Sequence, residues 1–99
     1  MSGDENNLGP CPVDRGLMCV GDRWSILVLR DIDRGLTRYE QLRTSLGIAP
    51  NILARRLSAL SDAGLIEKRR YSERPPRDEY LLTDAGRDFL PILMAIGAW

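Results

Sequence analysis

The 99-residue sequence predicts a single, mainly α-helical domain with one small β-hairpin. Apolar residues recur at helical spacing in several short segments, and one helical segment begins only three residues after the previous one ends, across residues 47–49. Over residues 65–71 the pattern changes to the alternation typical of a strand. The composition, 43% hydrophobic and 28% charged, is that of a folded chain rather than a disordered one.

The N-terminal third divides into a tail and two helices. Residues 1–10 are polar and lack apolar periodicity, so we predict a flexible tail followed by a folded domain over residues 11–99. Pro12 suits the first position of a short helix. Asp22 is then placed to cap a second helix, Arg23–Asp33.

Two further helices are separated by a tight turn. Thr37 and Glu40 have the spacing of a capping box, in which each side chain bonds a free amide at the helix start. Residues 47–49 break that helix, Pro50 suits the first position of the next, and Gly64 ends it. Such a pair is a helix-turn-helix, which in DNA-binding proteins places its second helix in the major groove.

The second helix of this pair carries a polar face. Asn51, Arg55 and Ser58 lie at positions i, i+4 and i+7, and side chains of these types hydrogen-bond to base edges and phosphates. An ordinary solvated helix face has the same spacing, so the motif around it is what favours DNA contact. Arg56 lies at the edge of this face, where an arginine can instead brace neighbouring helices.

A basic hairpin follows the helix pair. Residues 65–71 and 79–82 are predicted as strands and residues 72–77 as their loop. Arg74 and Arg77 flank two prolines at the tip, where they would contact phosphates or the minor groove; the alternative is a charged hairpin loop. A helix-turn-helix followed by such a hairpin is a winged helix. The candidate DNA contacts are therefore Arg38, Pro50, Asn51, Arg55, Arg56, Ser58, Arg74 and Arg77.

The C-terminal segment predicts an interface. Thr83 is placed to cap a helix over residues 84–99, which we expect to kink at Pro91. Residues 89–99 hold no charge and hardly any polar face, and a small domain cannot surround a helix that is apolar on all sides. We therefore predict a homodimer interface built from Phe89, Leu90, Leu93, Ile96 and Trp99. The apolar helical pattern continues up to Trp99, so it is compatible with a natural polypeptide that is longer than this sequence.

The charge distribution supports a nucleic-acid partner and the composition disfavours an enzyme. The formal net charge is zero, yet residues 34–77 hold ten basic and four acidic residues, a net of +6. There is no histidine, and two cysteines do not make a structural zinc site, so we expect no metal, no cofactor and no hydrolase. The first ten residues have neither a basic start nor an apolar stretch, and no apolar run is long enough to span a bilayer. We expect a cytoplasmic, nucleoid-associated protein.

These motifs resemble those of the HxlR-type transcriptional regulators, relatives of the MarR winged-helix proteins. The resemblance covers residues 11–99 and is carried by Cys11-Pro12-Val13, Gly21-Asp22-Arg23-Trp24-Ser25-Ile26-Leu27, Gly35-Leu36-Thr37-Arg38-Tyr39-Glu40-Gln41-Leu42, Ile52-Leu53-Ala54-Arg55-Arg56-Leu57, Gly64-Leu65-Ile66, Pro75-Pro76-Arg77 and Leu82-Thr83-Asp84-Ala85-Gly86-Arg87. It implies a homodimer that binds an inverted-repeat operator, with the N- and C-terminal helices at the dimer interface. The chain departs from the family at Ala49, Asn51 and Arg55, so no relative's operator can be assumed.

Cys11 is the candidate thiol sensor. The resemblance implies this role, because several family members sense electrophiles or oxidants through the matching cysteine. Independently, the start of a helix favours the thiolate form of a cysteine. The alternative is an inert, semi-buried thiol. Cys19 lies eight residues later, about 12 Å along a helix, which is too far for a disulfide without unwinding. We expect Cys19 to belong to the core.

The sequence therefore predicts a DNA-binding transcriptional regulator, most simply a repressor, whose partners are double-stranded DNA, a second copy of the chain and a small-molecule or electrophile effector. The alternative is a winged helix that serves only as a protein-interaction module, with its basic segment facing an acidic partner. No phosphate-binding loop, nucleophile elbow or paired-carboxylate arrangement points to an enzyme.

Overall fold

The computed structural model describes residues 11–99, and the predicted tail over residues 1–10 lies outside them. In chain order the elements are α1 (Pro12–Val20), α2 (Arg23–Asp33), α3 (Tyr39–Leu46), α4 (Pro50–Asp62), β1 (Ile66–Glu73), β2 (Pro76–Leu82), α5 (Asp84–Asp88) and α6 (Leu90–Ala98). The two strands pair antiparallel. The predicted fold class, mainly helical with a small hairpin, is confirmed.

The core lies where α2, α3, α4 and the first residue of β1 meet. Its fully buried side chains include Leu29, Leu42, Leu53, Leu60 and Ile66, which between them come from all four elements. One buried residue is charged: Asp31 accepts hydrogen bonds from Ser45 Oγ at 2.7 Å and from Arg30 Nε at 2.9 Å. The bond from Ser45 ties α2 to α3, and both bonds satisfy a buried carboxylate that would be costly without partners.

The predicted capping box at Thr37 and Glu40 is wrong. Helix α3 is capped at Arg38, whose N–H donates to Gln41 Oε1 at 3.1 Å. Thr37 is held elsewhere: its hydroxyl donates to Glu79 at 3.3 Å, and its carbonyl accepts the N–H of Tyr80 at 2.7 Å. The contact with β2 holds Thr37 outside the helix, so the helix begins one residue later than the spacing predicts.

The hairpin is longer than predicted. The segment expected as a loop, residues 72–77, mostly belongs to the strands, because Ser72 pairs with Arg77 and Glu73 with Pro76. A β-bulge in β1 beside Tyr71 shifts the register by one residue and makes this pairing possible. Only a two-residue turn remains at the tip.

The C-terminal segment is two helices rather than one. The single helix expected over residues 84–99 is interrupted at Phe89, and Pro91 occupies the first turn of α6. Proline has no N–H to donate to the carbonyl of Arg87 and its ring would clash there, so the chain breaks before Pro91 instead of kinking at it. Within residues 11–99 no helix is both long and apolar enough to cross a membrane.

Candidate nucleic-acid interface

Helix α4 is the recognition helix of the predicted motif. It is joined to α3 by a turn in which Gly47 has φ +63°, a left-handed conformation that glycine adopts without strain. Tyr39 Oη donates to the carbonyl of Pro50 at 3.0 Å, which fixes the start of α4 against α3. Ala49 is the residue before the helix and provides no side-chain cap, because its methyl group cannot accept a hydrogen bond.

The structure brings the predicted reading residues together on one exposed face. Asn51, Arg55 and Ser58 are all exposed, whereas Leu53 and Leu57 on the other side of the helix are buried. The outward orientation that the spacing predicts is therefore correct. That these three side chains contact DNA stays a prediction.

Arg56 lies apart from this face. It is half-buried and its Nη1 lies 3.2 Å from Oδ2 of Asp22, the residue that caps α2. The bracing alternative considered from the sequence matches this geometry. Nothing in the sequence pattern indicates the partner, which lies 34 residues earlier in the chain.

The hairpin, which we call the wing, divides its basic side chains between two kinds of environment. Arg69 pairs with Glu67, and Arg70 pairs with Asp78 and Glu73. Arg74 in the turn and Arg77, which lies in β2 and not at the tip as expected, are exposed and form no ion pair with any residue of the described chain. The two arginines predicted to contact DNA are thus those whose charge is uncompensated.

Arg38 joins the helix-turn-helix to the wing. Its guanidinium carbon lies 4.3 Å from the ring centroid of Tyr71, a cation–π stacking distance. Tyr71 is the bulge residue of β1, so the bulge places the ring against Arg38. The sequence gives no signal for this contact, because bulges depend on pairing across the hairpin.

A groove of about 400 Å³ separates the recognition helix from the wing. Ser58 lines it from α4, and Lys68 and Tyr80, directly opposite each other in the hairpin, line it from the wing. Burial, followed by the charge of Asp78 and the neighbouring Tyr39, raises the pKa of Tyr80 above its ordinary value. Lys68 is a basic residue on this side that the candidate contacts omit; strand alternation from Arg69 is the signal that could have found it.

The basic residues over positions 34–77 fall into two groups, those that pair with a carboxylate and those that do not. Arg43, Arg56, Arg69 and Arg70 pair with carboxylates. The others have no such partner within residues 11–99; they are Arg34, Arg38, Arg55, Lys68, Arg74 and Arg77. Five of these six belong to the recognition helix, the start of α3 or the wing, so the positive charge left for a polyanion is concentrated there.

The predicted dimer residues fall into two groups. Phe89 and Leu93 are partly buried and pack against the chain's own core, and Leu90 is half-buried. Ile96 is 52% exposed and Trp99 is fully exposed. Helix α1 adds further exposed apolar side chains, namely Val13, Leu17 and Met18.

Both cysteines of the chain are exposed, free thiols. Cys11 caps α1, and its Sγ accepts the N–H of Asp14 at 3.3 Å. The expectation that Cys19 belongs to the core is wrong, because α1 buries only Val20 and leaves Cys19 on its exposed side. Within residues 11–99 no cluster of three or more acidic, cysteine or histidine residues could hold a metal ion.

The family model described as HxlR-like helix-turn-helix matches residues 19–99. The chain belongs to this HxlR-like family. An uncharacterised HTH-type transcriptional regulator of Mycobacterium tuberculosis is 41% identical over 87 residues, which cover 88% of this chain and 55% of that protein. A regulator of the same description from Methanothermobacter thermautotrophicus is 36% identical over 98 residues, covering 98% of this chain and 73% of its own length. This HxlR-like chain spans about half the length of the mycobacterial relatives it matches.

Solved structures agree with the HxlR-like assignment. A proposed transcription factor, PA1607, superposes with a TM-score of 0.86 at 43% identity, covering 96% of this chain and 66% of that one. The redox regulator HypR in its oxidised form gives a TM-score of 0.83 at 29% identity, covering 90% of this chain and 93% of HypR. These relatives are described as regulators, and none of these matches indicates an enzyme family.

Proposed function

We propose that the chain is a DNA-binding transcriptional repressor that acts as a homodimer on an inverted-repeat operator in the cytoplasm. One observation carries the proposal: the side chains able to read bases, Asn51, Arg55 and Ser58, share one exposed face of α4, and Lys68 of the wing, which lacks an acidic partner within the described chain, lines the same groove as Ser58. In this arrangement Asn51 and Arg55 read base edges in the major groove. Arg38, Lys68, Arg74 and Arg77 neutralise phosphates and set the register.

Dimer formation follows from the apolar surface that a single copy leaves exposed. Helix α6 holds no charged residue, and both Ile96 and Trp99 are largely exposed in the isolated chain. Pairing α1 and α6 with those of a second copy covers this surface and supplies two recognition helices, which an inverted repeat requires.

The test is a gel shift with DNA from upstream of the protein's own gene. We expect a retarded band that competitor DNA of random sequence does not abolish. Asn51→Ala lowers the preference for the operator over random DNA, because an adenine or other base edge loses its hydrogen-bonding partner. A chain that retards no DNA at low salt supports the alternative, a winged helix that binds only an acidic protein partner.

We also propose that Cys11 makes the repressor responsive to oxidants or electrophiles. Its thiol is exposed at the start of α1, and HypR, among the structures similar to this chain, is described as a redox regulator. Treatment with diamide or a quinone should modify Cys11, seen by mass spectrometry, and release the DNA. The Cys19→Ser variant should release DNA on treatment just as the parent protein does. If the Cys11→Ser variant also releases its DNA on treatment, Cys11 has no sensing role.

A further inference from the structure

The corner between α1 and α2 is tightly built. The N–H of Gly21 donates to the carbonyl of Leu17 at 2.6 Å. A Cβ at Gly21 would lie only 2.3 Å from the same oxygen, so a larger residue cannot be placed there without moving the corner. Asp22, the residue that caps α2, directly follows this corner.

The carboxylate of Asp22 is shared by two helices. Oδ1 accepts the N–H of Ser25 at 2.8 Å, and Oδ2 accepts both Ser25 Oγ at 2.6 Å and Arg56 Nη1 at 3.2 Å. Burial raises the pKa of Asp22, but the bonds from Ser25 and the charge of Arg56 outweigh it and hold the pKa below its ordinary value of 3.8. Because Ser25 is buried and holds the carboxylate on α2, the carboxylate is a fixed anchor for Arg56.

The anchored arginine lies beside the residues that face DNA. Asp22 and Trp24 of α2 meet Ile52 and Arg56 of α4 in a shallow cleft of about 310 Å³, which Arg55 also lines. The ion pair therefore limits rotation of α4 about its own axis. Hydrogen bonding to base edges requires side chains held within about 10–20° of the productive geometry, so a small rotation of α4 suffices to weaken it.

We infer that Asp22 is a positioning residue for sequence reading: through Arg56 it holds the recognition helix in the rotation at which Asn51 and Arg55 meet the bases. Arg56 is then a brace and not a phosphate contact. The inference rests on the proposed DNA-binding function. It also connects the orientation of α1, which carries Cys11, to that of the recognition helix, because Asp22 directly follows the α1–α2 corner.

Two substitutions and their combination test the brace. Asp22→Asn keeps a side-chain oxygen for the cap but removes the charge, and Arg56→Met keeps the apolar stem but removes the guanidinium. For each variant, affinity for the operator and for random DNA is measured over a range of salt concentrations. We expect the ratio of the two affinities to fall about tenfold in either single variant, as when a bidentate base contact is weakened. The double variant should lose no more than the single ones, and Arg56→Met should keep the parent salt slope.

A variant that removes a different ion pair serves as the control. Glu40→Gln removes the exposed ion pair with Arg43 on α3 and should leave the ratio unchanged. Losses that add in the double variant show that Asp22 does not act through Arg56, and a flatter salt slope for Arg56→Met shows that Arg56 contacts phosphate; either result overturns the inference.

A measurement without DNA separates this inference from the proposed function. Amide hydrogen exchange over the first turns of α4 should be faster in Asp22→Asn and in Arg56→Met than in the parent or in Glu40→Gln. Unchanged exchange overturns the brace whether or not the protein binds DNA. A parent protein that retards no DNA while both variants show faster exchange refutes the proposed function and the positioning role, and leaves Asp22 as a contact that only rigidifies the fold.

Discussion

The exposed arginines of the wing should determine how steeply the affinity for DNA falls as the salt concentration rises. Replacing Arg77 by alanine removes an exposed charge near the start of β2 that has no acidic partner within the described chain. Each neutralised phosphate releases condensed counterions, so the logarithm of affinity falls with the logarithm of salt by about 0.9 per contact. The slope therefore counts contacts, whereas affinity at one salt concentration does not.

The expected slopes follow from the basic groups of the helix pair and the wing that lack an acidic partner within residues 11–99. If Arg55 reads a base, the phosphate contacts are Arg38, Lys68, Arg74 and Arg77, which makes eight in a dimer. Eight contacts give a slope of about −7, and the six left in Arg77→Ala give about −5.5. Between 50 and 200 mM salt the parent should lose affinity by about 10⁴-fold and the variant by about 10³-fold.

Fluorescence anisotropy with a labelled operator duplex, titrated at five or more salt concentrations, measures both slopes. Arg69→Ala is the matched control, because Arg69 lies on the other strand of the same hairpin but pairs with Glu67 and lines a cleft beside Asp33 and Arg87. Its slope should equal that of the parent. Parent and Arg77→Ala slopes that coincide would refute the placement of the wing on DNA.

Three further predictions concern stability and assembly. Leu53 is fully buried, so Leu53→Ala should lower the free energy of unfolding by about 2–5 kcal/mol in urea titrations, and the half-buried Leu46 should cost less when replaced by alanine. Ile96→Asp should convert a dimer into an 11.1 kDa monomer in sedimentation velocity, whereas Ala59→Asp, on the exposed side of α4, should not. The pKa of Asp22 is lower in the folded chain, so its stabilisation is complete above pH 3.8 and is lost as pH falls further; the difference in Tm between parent and Asp22→Asn should be constant from pH 5 to 7 and shrink below pH 3.8. A difference that grows on acidification would contradict this.

Local patterns predicted the elements well where the pattern itself carries the stabilising contacts. The apolar spacing of α4 predicted both its buried leucines and the outward face of Asn51 and Arg55, because the 3.6-residue period determines both. Asp22 was predicted correctly as a cap for the same reason: the bond it accepts from Ser25 is local.

Predictions failed where a distant residue competes with a local rule. Thr37 has the right spacing for a cap, yet it bonds Glu79, 42 residues later, and the helix starts after it. The length of the hairpin depends on pairing between strands, which a loop rich in Pro and Arg does not reveal. Cys19 lies among apolar residues at helical spacing, and this spacing predicted that it is buried. The prediction failed because the short helix α1 buries only its last residue, Val20.

The bond between Tyr80 and Thr37 also affects how the sheet ends. A two-stranded sheet has two open edges, and each can recruit a strand from another molecule and start aggregation. On β2 the backbone N–H of Tyr80 is already occupied by the carbonyl of Thr37. On β1 the exposed Lys68, which has no acidic partner within residues 11–99, places an uncompensated charge on the strand and disfavours the addition of a like strand. A foreign strand that adds to β2 must first displace the segment leading into α3, so colloidal stability at high protein concentration depends on the same bond that delays the start of that helix.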